Sequence, residues 1–260
     1  MFDLLDLKTN TRLFLDTISP IIDAIASKEI ILTDADETIS KKDTSRIFCE
    51  CNKLDNVWAQ TRTYFKDLGR NYDGFARVAE VYSNIPLAQY KSFCLKAAKE
   101  VEIREHFSNV LLQQKMPIII ATSGLKTLWE YVVKLQKWDN VIVIGGNNLK
   151  ETPFIVTPEV KDVLSVLLKK KNKRVLAFGD SRVDASMLLN ADLGCIVTNE
   201  RKSPGLVDLV ATKSDSIVQL ESEYPLRPEL QILSVEQVIN IFSNPNIKKI
   251  SVVLQKKSQE

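Results

Sequence analysis

The feature of this sequence that most constrains its fold is the apolar run at residues 30–33 (Ile-Ile-Leu-Thr), which ends abruptly in two acids, Asp34 and Asp36. A short apolar run bounded by polar residues predicts a buried parallel strand. Functional groups on such strands lie at the carboxyl ends. Burying two carboxylates there is unfavourable unless a cation or a reaction needs them. We therefore expect Asp34 and Asp36 to lie in a functional site.

Segments of strand length alternate with segments of helical spacing along much of the chain. We predict strands at 29–33, 117–122, 141–144, 174–178 and 194–198. Helices are predicted at 125–137 and 157–171, where apolar residues recur at helical spacing. This alternation is typical of an α/β protein with a Rossmann-like parallel sheet between two helical layers.

The connection between the first two predicted strands is too long for a single crossover helix. Residues 40–116 are rich in helix formers and aromatic residues, with turn signals at Gly69, Gly74 and Pro86. We predict an inserted all-helical domain at 40–116. Residues 1–39 and 117–260 then form the α/β core.

Three local predictions concern the rest of the core. Residues 9–27 predict an additional helix that is interrupted near Pro20. The Gly-Gly-Asn-Asn cluster at 145–148 lies between two β-rich runs and predicts a small hairpin. Residues 230–256 predict a strand, a helix and a last β-rich run at 250–254, which has no assigned place in the sheet.

The composition of this 260-residue chain is that of a globular protein, with 45% hydrophobic and 26% charged residues. A formal net charge of +2 gives no reason to expect nucleic acid or an anionic membrane as a partner. The basic run at 169–174 closes a predicted helix, where cations meet the helix dipole favourably. We interpret it as a solvated helix end rather than a phosphate-binding patch.

The location predicted from the sequence is cytoplasmic. The first six residues carry acids where a secretory signal carries bases, and no apolar run is long enough to span a bilayer.

The cysteines and the single histidine narrow the chemistry further. Cys49, Cys51, Cys94 and Cys195 do not form a disulfide framework in a chain of this length, and no second pair at metal-ligand spacing accompanies Cys49 and Cys51. We therefore predict buried or half-buried free thiols. Because His106 is the only histidine, a zinc site with two imidazoles is excluded, and a Ser-His-Asp hydrolase is disfavoured.

Further polar residues follow other predicted strands on the same rim as Asp34 and Asp36. The segment 122–124 (Thr-Ser-Gly) follows an apolar strand and precedes a helix, so its hydroxyls and backbone N–H groups form a candidate phosphate seat. Lys161 lies in the first turn of a helix, an unfavourable place for a cation unless an anion is near. Considered alone, it is an ordinary surface lysine.

Asp180 and Asp184 follow the predicted strand at 174–178, which brings the number of acids on this rim to four. One such acid is commonly a turn or helix-cap residue. Four of them, with a hydroxyl and a lysine, indicate a site for a divalent cation. Ligands that are all oxygen favour Mg²⁺ together with a substrate phosphate.

These residues, taken in order, resemble the four motifs of the haloacid dehalogenase-like (HAD) hydrolase superfamily. The segment 34–38 (Asp-Ala-Asp-Glu-Thr) matches the first motif, and Thr122 with Ser123 and Gly124 matches the second. Lys161 fits the third motif. The segment 179–188 is similar to the fourth motif of the phosphoserine phosphatase-like branch, whose members carry a helical cap after the first motif. The resemblance covers about residues 29–198.

The resemblance implies a role for each motif residue. Asp34 is the nucleophile that forms an aspartyl-phosphate, and Asp36 is the general acid and base. Asp34, the backbone carbonyl of Asp36, and Asp180 hold Mg²⁺, while Asp184 orients these metal ligands.

The remaining motif residues are assigned to the phosphoryl group and to the turn. Thr122 and Lys161 neutralise the phosphoryl oxygens, with Ser123 and Gly124 in the same seat. Thr38 fixes the turn that presents both acids.

The inserted helices are expected to select the substrate. Asp43 and Arg77 are the residues that the resemblance assigns to substrate amine and carboxylate binding, although both are ordinary surface residues by type. The cap aromatics are interpreted as cap core rather than a ring-stacking site; they are Trp58, Tyr64, Phe65, Tyr72 and Phe75.

The function predicted from the sequence is a Mg²⁺-dependent phosphatase of a small phosphorylated metabolite. An acid at position 36 favours phosphate-ester chemistry over dehalogenation. Two alternatives stay open: a phosphotransferase with an acceptor other than water, and a HAD-like binding or regulatory module with little turnover. The second alternative depends on the terminal segments 1–28 and 200–260, which could form a partner interface or an oligomer.

Overall fold

The structure is a computed structural model that describes residues 6–113, 115–198, 204–210, 215–221 and 230–244. Its strands are β1 (Glu29–Thr33), β2 (Ile118–Thr122), β3 (Val141–Gly145), β4 (Arg174–Gly179), β5 (Leu193–Ile196), β6 (Ile217–Leu220) and β7 (Ile232–Leu233). They form one parallel sheet in the order β3-β2-β1-β4-β5-β6-β7. The predicted parallel α/β architecture is confirmed. The five predicted strands match β1 to β5 within a few residues at each end.

The central position of β1 explains why its carboxyl end carries chemistry. β1 pairs with β2 on one side and with β4 on the other, so Thr33 is aligned with Ile120 and with Phe178. The segments that leave β1, β2 and β4 therefore diverge from one short stretch of the sheet edge.

Helices cover both faces of this sheet. They are α1 (Leu7–Ala24), α2 (Thr44–Asn52), α3 (Asp55–Leu68), α4 (Tyr72–Ser83), α5 (Leu87–Ala98), α6 (Glu105–Gln113), α7 (Lys126–Gln136), α8 (Pro158–Lys170), α9 (Ala185–Asn190), α10 (Pro204–Val210) and α11 (Val235–Ser243). A short 3₁₀ turn at Arg182–Asp184 precedes α9.

Alternate residues of β1 point to opposite faces and are buried in different apolar clusters. Ile30 and Leu32 pack in a cluster with residues of α1, α8, α9 and α10. Ile31 packs in the other cluster, with residues of α7 and α11 and of the helices between β1 and β2. Each of these three side chains is fully buried. The burial of each one stabilises the fold by roughly 1.5–3 kcal/mol.

Five helices, α2 to α6, occupy the chain between β1 and β2. Their buried aromatic residues Phe48, Tyr82 and Tyr90 belong to the same apolar cluster as Trp129 of α7. The segment is therefore helical and packed on the core at its α7 side. The domain boundaries at 40 and 116 stay a prediction.

Two local predictions are wrong. No hairpin follows β3 in the described residues, because the backbone of Ile155 is bound by the side chain of Asn10, which donates to Ile155 O at 2.9 Å and accepts from Ile155 N at 2.7 Å. Helix α1 is not interrupted at Pro20. Pro20 is exposed, so the carbonyl of the exposed Asp16, which loses its helical partner, can bind water.

Other predictions outside the site can be compared directly. The four cysteines are free, three of them buried and Cys51 half-buried, as predicted. Lys169 and Lys170 lie in the last turn of α8, as expected for a helix end. The strand and helix predicted from residue 230 onward correspond to β7 and α11, and the β-rich run at 250–254 lies outside the described residues.

Among the described residues, none of the helices is both long enough and apolar enough to cross a bilayer.

Candidate active site

A cavity opens at the carboxyl edge of the sheet, beneath the helices that follow β1. It has a volume of about 70 Å³, well below the roughly 300–1,000 Å³ that is usual for ligand pockets. Its lining combines residues that follow β1, β2, β3 and β4 with residues of α2, α3 and α4; among them are Asp34, Asp36, Asp43, Ser123, Gly124, Asn147, Lys161 and Asp180. The structure thus brings together residues far apart in the sequence.

Asp34 lies directly after β1 and is fixed from several directions. Its backbone N–H donates to Phe178 O at 2.9 Å, which continues the pairing of β1 with β4. The ammonium group of Lys161 lies 2.5 Å from its Oδ1 atom, and the Thr38 hydroxyl lies 3.4 Å from Oδ2. Burial and the charge of Asp184 raise the pKa of Asp34 to about 6, even though Lys161 acts to lower it.

Lys161 links Asp34 to Asp184 inside the protein. Its Nζ atom lies 2.6 Å from Asp184 Oδ1, and the lysine is 1% exposed. Burial alone would lower the pKa of Lys161, but Asp184 and Asp34 outweigh it and raise that pKa. Lys161 is therefore not the ordinary surface lysine that its residue type alone would suggest.

Asp184 is held by groups on both of its carboxylate oxygens. Oδ1 faces Lys161, while Oδ2 accepts hydrogen bonds from Ser181 N at 3.0 Å and from Ser181 Oγ at 2.9 Å. Gly179 permits this arrangement, since a Cβ atom there would lie 2.5 Å from Asp184 Cβ. Asp184 is thus held in one orientation beside Asp34.

Three buried acids form a cluster that can hold a metal ion. Asp34, Asp180 and Asp184 each offer a carboxylate oxygen, and these oxygens lie within 4.8 Å of one another. The Thr38 hydroxyl donates to Asp180 Oδ1 at 3.0 Å and thereby joins Asp180 to the Asp34 turn. Burial, with the charges of Asp34 and Asp184, raises the pKa of Asp180 well above its usual value. An all-oxygen cluster with this excess of negative charge fits a hard divalent cation.

Asp36 is half-buried and lies on the other side of Asp34, toward β2. Its Oδ1 atom accepts hydrogen bonds from the backbone N–H of Thr44 at 2.8 Å and from the Thr44 hydroxyl. Its Oδ2 atom lies 3.4 Å from the Thr122 hydroxyl. Burial, followed by the charges of Asp43 and Asp34, raises the pKa of Asp36 to about 7. A carboxyl group with this pKa can both release and accept a proton near neutrality.

The segment at the end of β2 turns tightly beside Asp36. Thr122 Oγ1 accepts from Gly124 N at 2.9 Å, so the backbone turns back at this point. A Cβ atom at Gly124 would lie 2.5 Å from Asp36 Oδ2, and glycine therefore allows the turn to approach Asp36. The Ser123 hydroxyl is buried at the cavity and has no hydrogen-bond partner within the described structure.

The two predicted substrate residues lie in different places. Asp43 lines the cavity, where it also caps α2 by accepting from Ser45 N at 2.9 Å and from Arg46 N at 3.2 Å. Arg77 is exposed on α4, where its guanidinium pairs with Glu80 at 2.9 Å, and it is not part of the cavity lining. Its position gives no support to a clamp role.

Some residues of the cavity lining were not anticipated from the sequence. Arg70 lines the cavity with its guanidinium 5.3 Å from the Phe65 ring centroid. Phe65 and Phe75, predicted as cap core, stack edge-on at 4.9 Å and also line the cavity. Asn147 lies in the cluster that had been interpreted as a hairpin turn. No local sequence signal separates Arg70 and Asn147 from ordinary surface or turn residues.

Comparison with known proteins supports the fold assignment. No protein-family model and no curated protein matches the sequence. Among solved structures, cytosolic 5′-nucleotidase IIIB bound to cytidine is similar with a TM-score of 0.55 at 14% identity, covering 89% of this chain and 90% of that chain. A HAD-family hydrolase from Salmonella enterica serovar Typhi is similar with a TM-score of 0.50 at 15% identity, covering 74% of each chain.

A probable phosphoserine phosphatase from Vibrio cholerae is also similar, with a TM-score of 0.50 at 16% identity, covering 73% of this chain and 60% of that chain. The chain therefore has the fold of HAD-family hydrolases, as the resemblance of its motifs implied.

Proposed function

We propose that this protein is a Mg²⁺-dependent phosphatase that hydrolyses a small phosphomonoester metabolite through an aspartyl-phosphate on Asp34. One observation carries the proposal: the buried Asp34 carboxylate, fixed by Lys161 at 2.5 Å, shares a cavity with the high-pKa Asp36 and with Ser123 and Gly124. A nucleophile, an acid and anion-binding donors are the groups that this reaction requires.

In the first step, Asp34 attacks phosphorus while Asp36 protonates the leaving oxygen. The bond between phosphorus and the ester oxygen breaks, a bond from phosphorus to an Asp34 oxygen forms, and the alcohol leaves with the proton of Asp36. The pKa of Asp36, raised to about 7, supports this role because a substantial fraction of the side chain is protonated near neutral pH.

In the second step, Asp36 accepts a proton from water as the water oxygen attacks phosphorus. The bond to Asp34 then breaks, and inorganic phosphate is released. The hydrogen bonds from Thr44 hold the Asp36 carboxyl group in one place for both proton transfers.

The transferred phosphoryl group needs positive partners for its remaining oxygens. Lys161 supplies a buried ammonium, and Ser123 supplies a hydroxyl at the cavity. The Thr122 hydroxyl and the N–H of Gly124, which bond to Asp36 and to Thr122 in this structure, would turn to the phosphoryl group when substrate binds. The unpartnered Ser123 hydroxyl is available to donate in this way. Such fixed donors stabilise the charge of a transition state at little reorganisation cost.

The acids on the β4 side fit the cation that the reaction uses. Asp34, the backbone carbonyl of Asp36, and Asp180 would hold Mg²⁺, and Asp184, fixed by Lys161 and Ser181, would orient Asp34 and Asp180. When bound, Mg²⁺ supplies positive charge that offsets the charge of the phosphoryl oxygens.

The helices after β1 act as a cap in this proposal. Residues of α2, α3 and α4 line the cavity, and its volume of about 70 Å³ admits little more than a small phosphorylated group unless these helices move. Neither nucleic acid nor a membrane is a partner in the proposal, and a cytoplasmic location stays a prediction. The fold neighbours named above include a 5′-nucleotidase and a probable phosphoserine phosphatase.

The test is phosphate release from a broad panel of phosphomonoesters by the purified protein with Mg²⁺, next to the Asp34→Asn variant. We expect release from a subset of small esters by the wild type and none above background by the variant. The proposal is overturned if the wild type releases no phosphate, or if the variant keeps the activity.

A further inference from the structure

Asn147 is a buried polar residue of the cavity to which the proposed chemistry assigns no role. It follows β3, it is 3% exposed, and it lines the same cavity as Asp34 and Asp36. Its Oδ1 atom is buried and has no hydrogen-bond partner among the residues that the structure describes. A buried amide oxygen without a partner destabilises a fold, so its presence here calls for a functional explanation.

The neighbouring Asn148 shows what a structural asparagine does in the same loop. Its Oδ1 atom accepts from Lys150 N at 3.0 Å, and its Nδ2 atom donates to Tyr82 O at 3.3 Å, which ties the loop to α4. Leu149 N donates to Ser83 Oγ at 2.8 Å beside it. The two adjacent amides therefore have different tasks, and only Asn148 serves the packing of the loop.

The backbone before Asn147 keeps its side chain at the cavity wall. A Cβ atom at Gly146 would lie 2.1 Å from Phe154 O, and one at Gly145 would lie 2.9 Å from Thr122 Cγ2. Both glycines allow the loop to lie directly against its neighbours. The loop is thus packed closely on β2, next to the proposed phosphate seat.

The position of Asn147 puts it on the side where the leaving group departs. β3 pairs with β2, on the side of β1 opposite to β4, so Asn147 lies beyond Ser123 and away from Asp180. The Oδ2 atom of Asp36, the proposed acid, also faces this side, toward Thr122. In the proposed reaction, an alcohol that takes the proton of Asp36 on this side leaves into the part of the cavity that the loop after β3 lines.

The hydrogen-bonding capacity of a carboxamide limits which substrate groups can bind to it. It offers both donors and an acceptor, in either of its two orientations. A phosphoryl oxygen only accepts hydrogen bonds, so it would leave the amide oxygen unpaired. A hydroxyl both donates and accepts, and it can satisfy this amide completely.

We infer that Asn147 is a specificity-determining residue that binds a hydroxyl of the leaving alcohol, so that the preferred substrates are phosphomonoesters of polyols rather than of simple alcohols. This inference rests on the proposed phosphatase function and deepens it. A site built around such a hydrogen bond discriminates strongly against an analogue that lacks the hydroxyl.

The first experiment compares matched substrates with the holoenzyme in Mg²⁺. The pair is glycerol 3-phosphate and n-propyl phosphate, with O-phosphoethanolamine as a substrate whose amine only donates. We expect the wild type to prefer glycerol 3-phosphate over each of the others by at least tenfold in kcat/KM. Asn147→Leu should remove that preference, because kcat/KM for glycerol 3-phosphate should fall at least tenfold more than kcat/KM for n-propyl phosphate.

Several results would overturn the inference. If the wild type hydrolyses n-propyl phosphate or O-phosphoethanolamine with the same kcat/KM as glycerol 3-phosphate, the site does not recognise a hydroxyl of the leaving alcohol. An equal loss with all three substrates in Asn147→Leu shows a general effect on the site. Absence of activity with these esters and with p-nitrophenyl phosphate overturns the proposed function itself, and the inference with it.

A second measurement needs no activity and uses Asn148 as the matched control. Because Asn147 Oδ1 has no hydrogen-bond partner among the described residues, Asn147→Leu should unfold at the same or a higher temperature than the wild type. Asn148→Leu should unfold several degrees lower, since it loses the contacts to α4. Equal destabilisation by the two variants would mean that Asn147 is structural, which contradicts the inference.

Discussion

The Nζ atom of Lys161 lies 2.5 Å from Oδ1 of Asp34, across 127 residues of sequence. The contact joins the first turn of α8 to the end of β1, and the same ammonium group lies 2.6 Å from Asp184. One buried cation thus holds two buried acids together. The contact fixes the proposed nucleophile in position before any substrate arrives.

Replacing Lys161 by methionine should both destabilise the protein and abolish its activity. Removing one partner of a buried ion pair leaves uncompensated charge and costs about 3–5 kcal/mol. Urea unfolding at pH 7.5 without metal measures this loss, and Lys169→Met, at the exposed end of α8, is the control that should change stability by less than about 0.5 kcal/mol. Equal stability of the two variants would contradict a buried, charged Lys161.

Replacing Asp36 by asparagine should slow the reaction in a manner that depends on the leaving group. Loss of a general acid lowers kcat by roughly 10²–10⁴-fold for an alkyl phosphate. The loss should be much smaller for p-nitrophenyl phosphate, whose leaving group needs little protonation. Steady-state kinetics with both substrates checks this, and an identical loss with each would exclude the acid role of Asp36.

Replacing Gly124 by alanine should impair catalysis with little effect on folding. The added Cβ atom would lie 2.5 Å from Asp36 Oδ2 and would displace that carboxyl group. A displacement of about 1 Å can reduce kcat by on the order of 100-fold. The control is Gly205→Ala, whose Cβ atom would meet only the flexible side chain of Arg182 at 3.0 Å. Normal kcat in Gly124→Ala would show that this contact does not position Asp36.

The metal-free protein should lose stability as the pH rises from about 4 to about 7. The pKa of Asp34 is raised to about 6 and that of Asp36 to about 7, so in this range the native state binds more protons than the unfolded state. The free energy of unfolding therefore falls as the pH increases, by several kcal/mol, since each unit of pKa shift corresponds to about 1.4 kcal/mol.

Urea unfolding at pH 5 and pH 7.5 with a chelator measures this slope, and adding Mg²⁺ at pH 7.5 should restore the stability. In Asp180→Asn the slope should be shallower and the response to Mg²⁺ should be lost. A metal-free wild type that becomes more stable between pH 5 and pH 7.5 would contradict the buried, uncompensated acids.

The place of a residue in this structure could be predicted only where the sequence next to it shows a recognisable pattern. Asp34 and Asp180 each follow an apolar strand, so the period and length of the apolar runs were enough to place them on one rim. The parallel order of the strands then brought the two together.

Lys161 had a weaker signal, because the sequence showed only a cation in a first helical turn. Its burial between two acids depends on the packing of α8 against the sheet. Asn147 and Arg70 had no local signal at all. Their places at the cavity arise from the loop after β3 and from the helices after β1, and both are set by tertiary contacts over long sequence distances.

The hairpin predicted at 145–148 failed for a related reason. Glycine and asparagine do favour turns. A turn becomes a hairpin, however, only if the backbone segments on either side of it bind each other as strands. Here Asn10 of α1 binds both backbone groups of Ile155. A sequence pattern within the loop cannot reveal a partner that lies at the other end of the chain.

The central claim is that Asp34 carries the phosphoryl group during the reaction. The most direct test is rapid acid quenching of the enzyme during turnover of p-nitrophenyl phosphate with Mg²⁺, followed by peptide mass mapping. The account predicts a transient phosphoryl group on the Asp34 side chain in the wild type and none in Asp34→Asn. Turnover without a phosphorylated peptide, or a phosphoryl group on another residue, would contradict it.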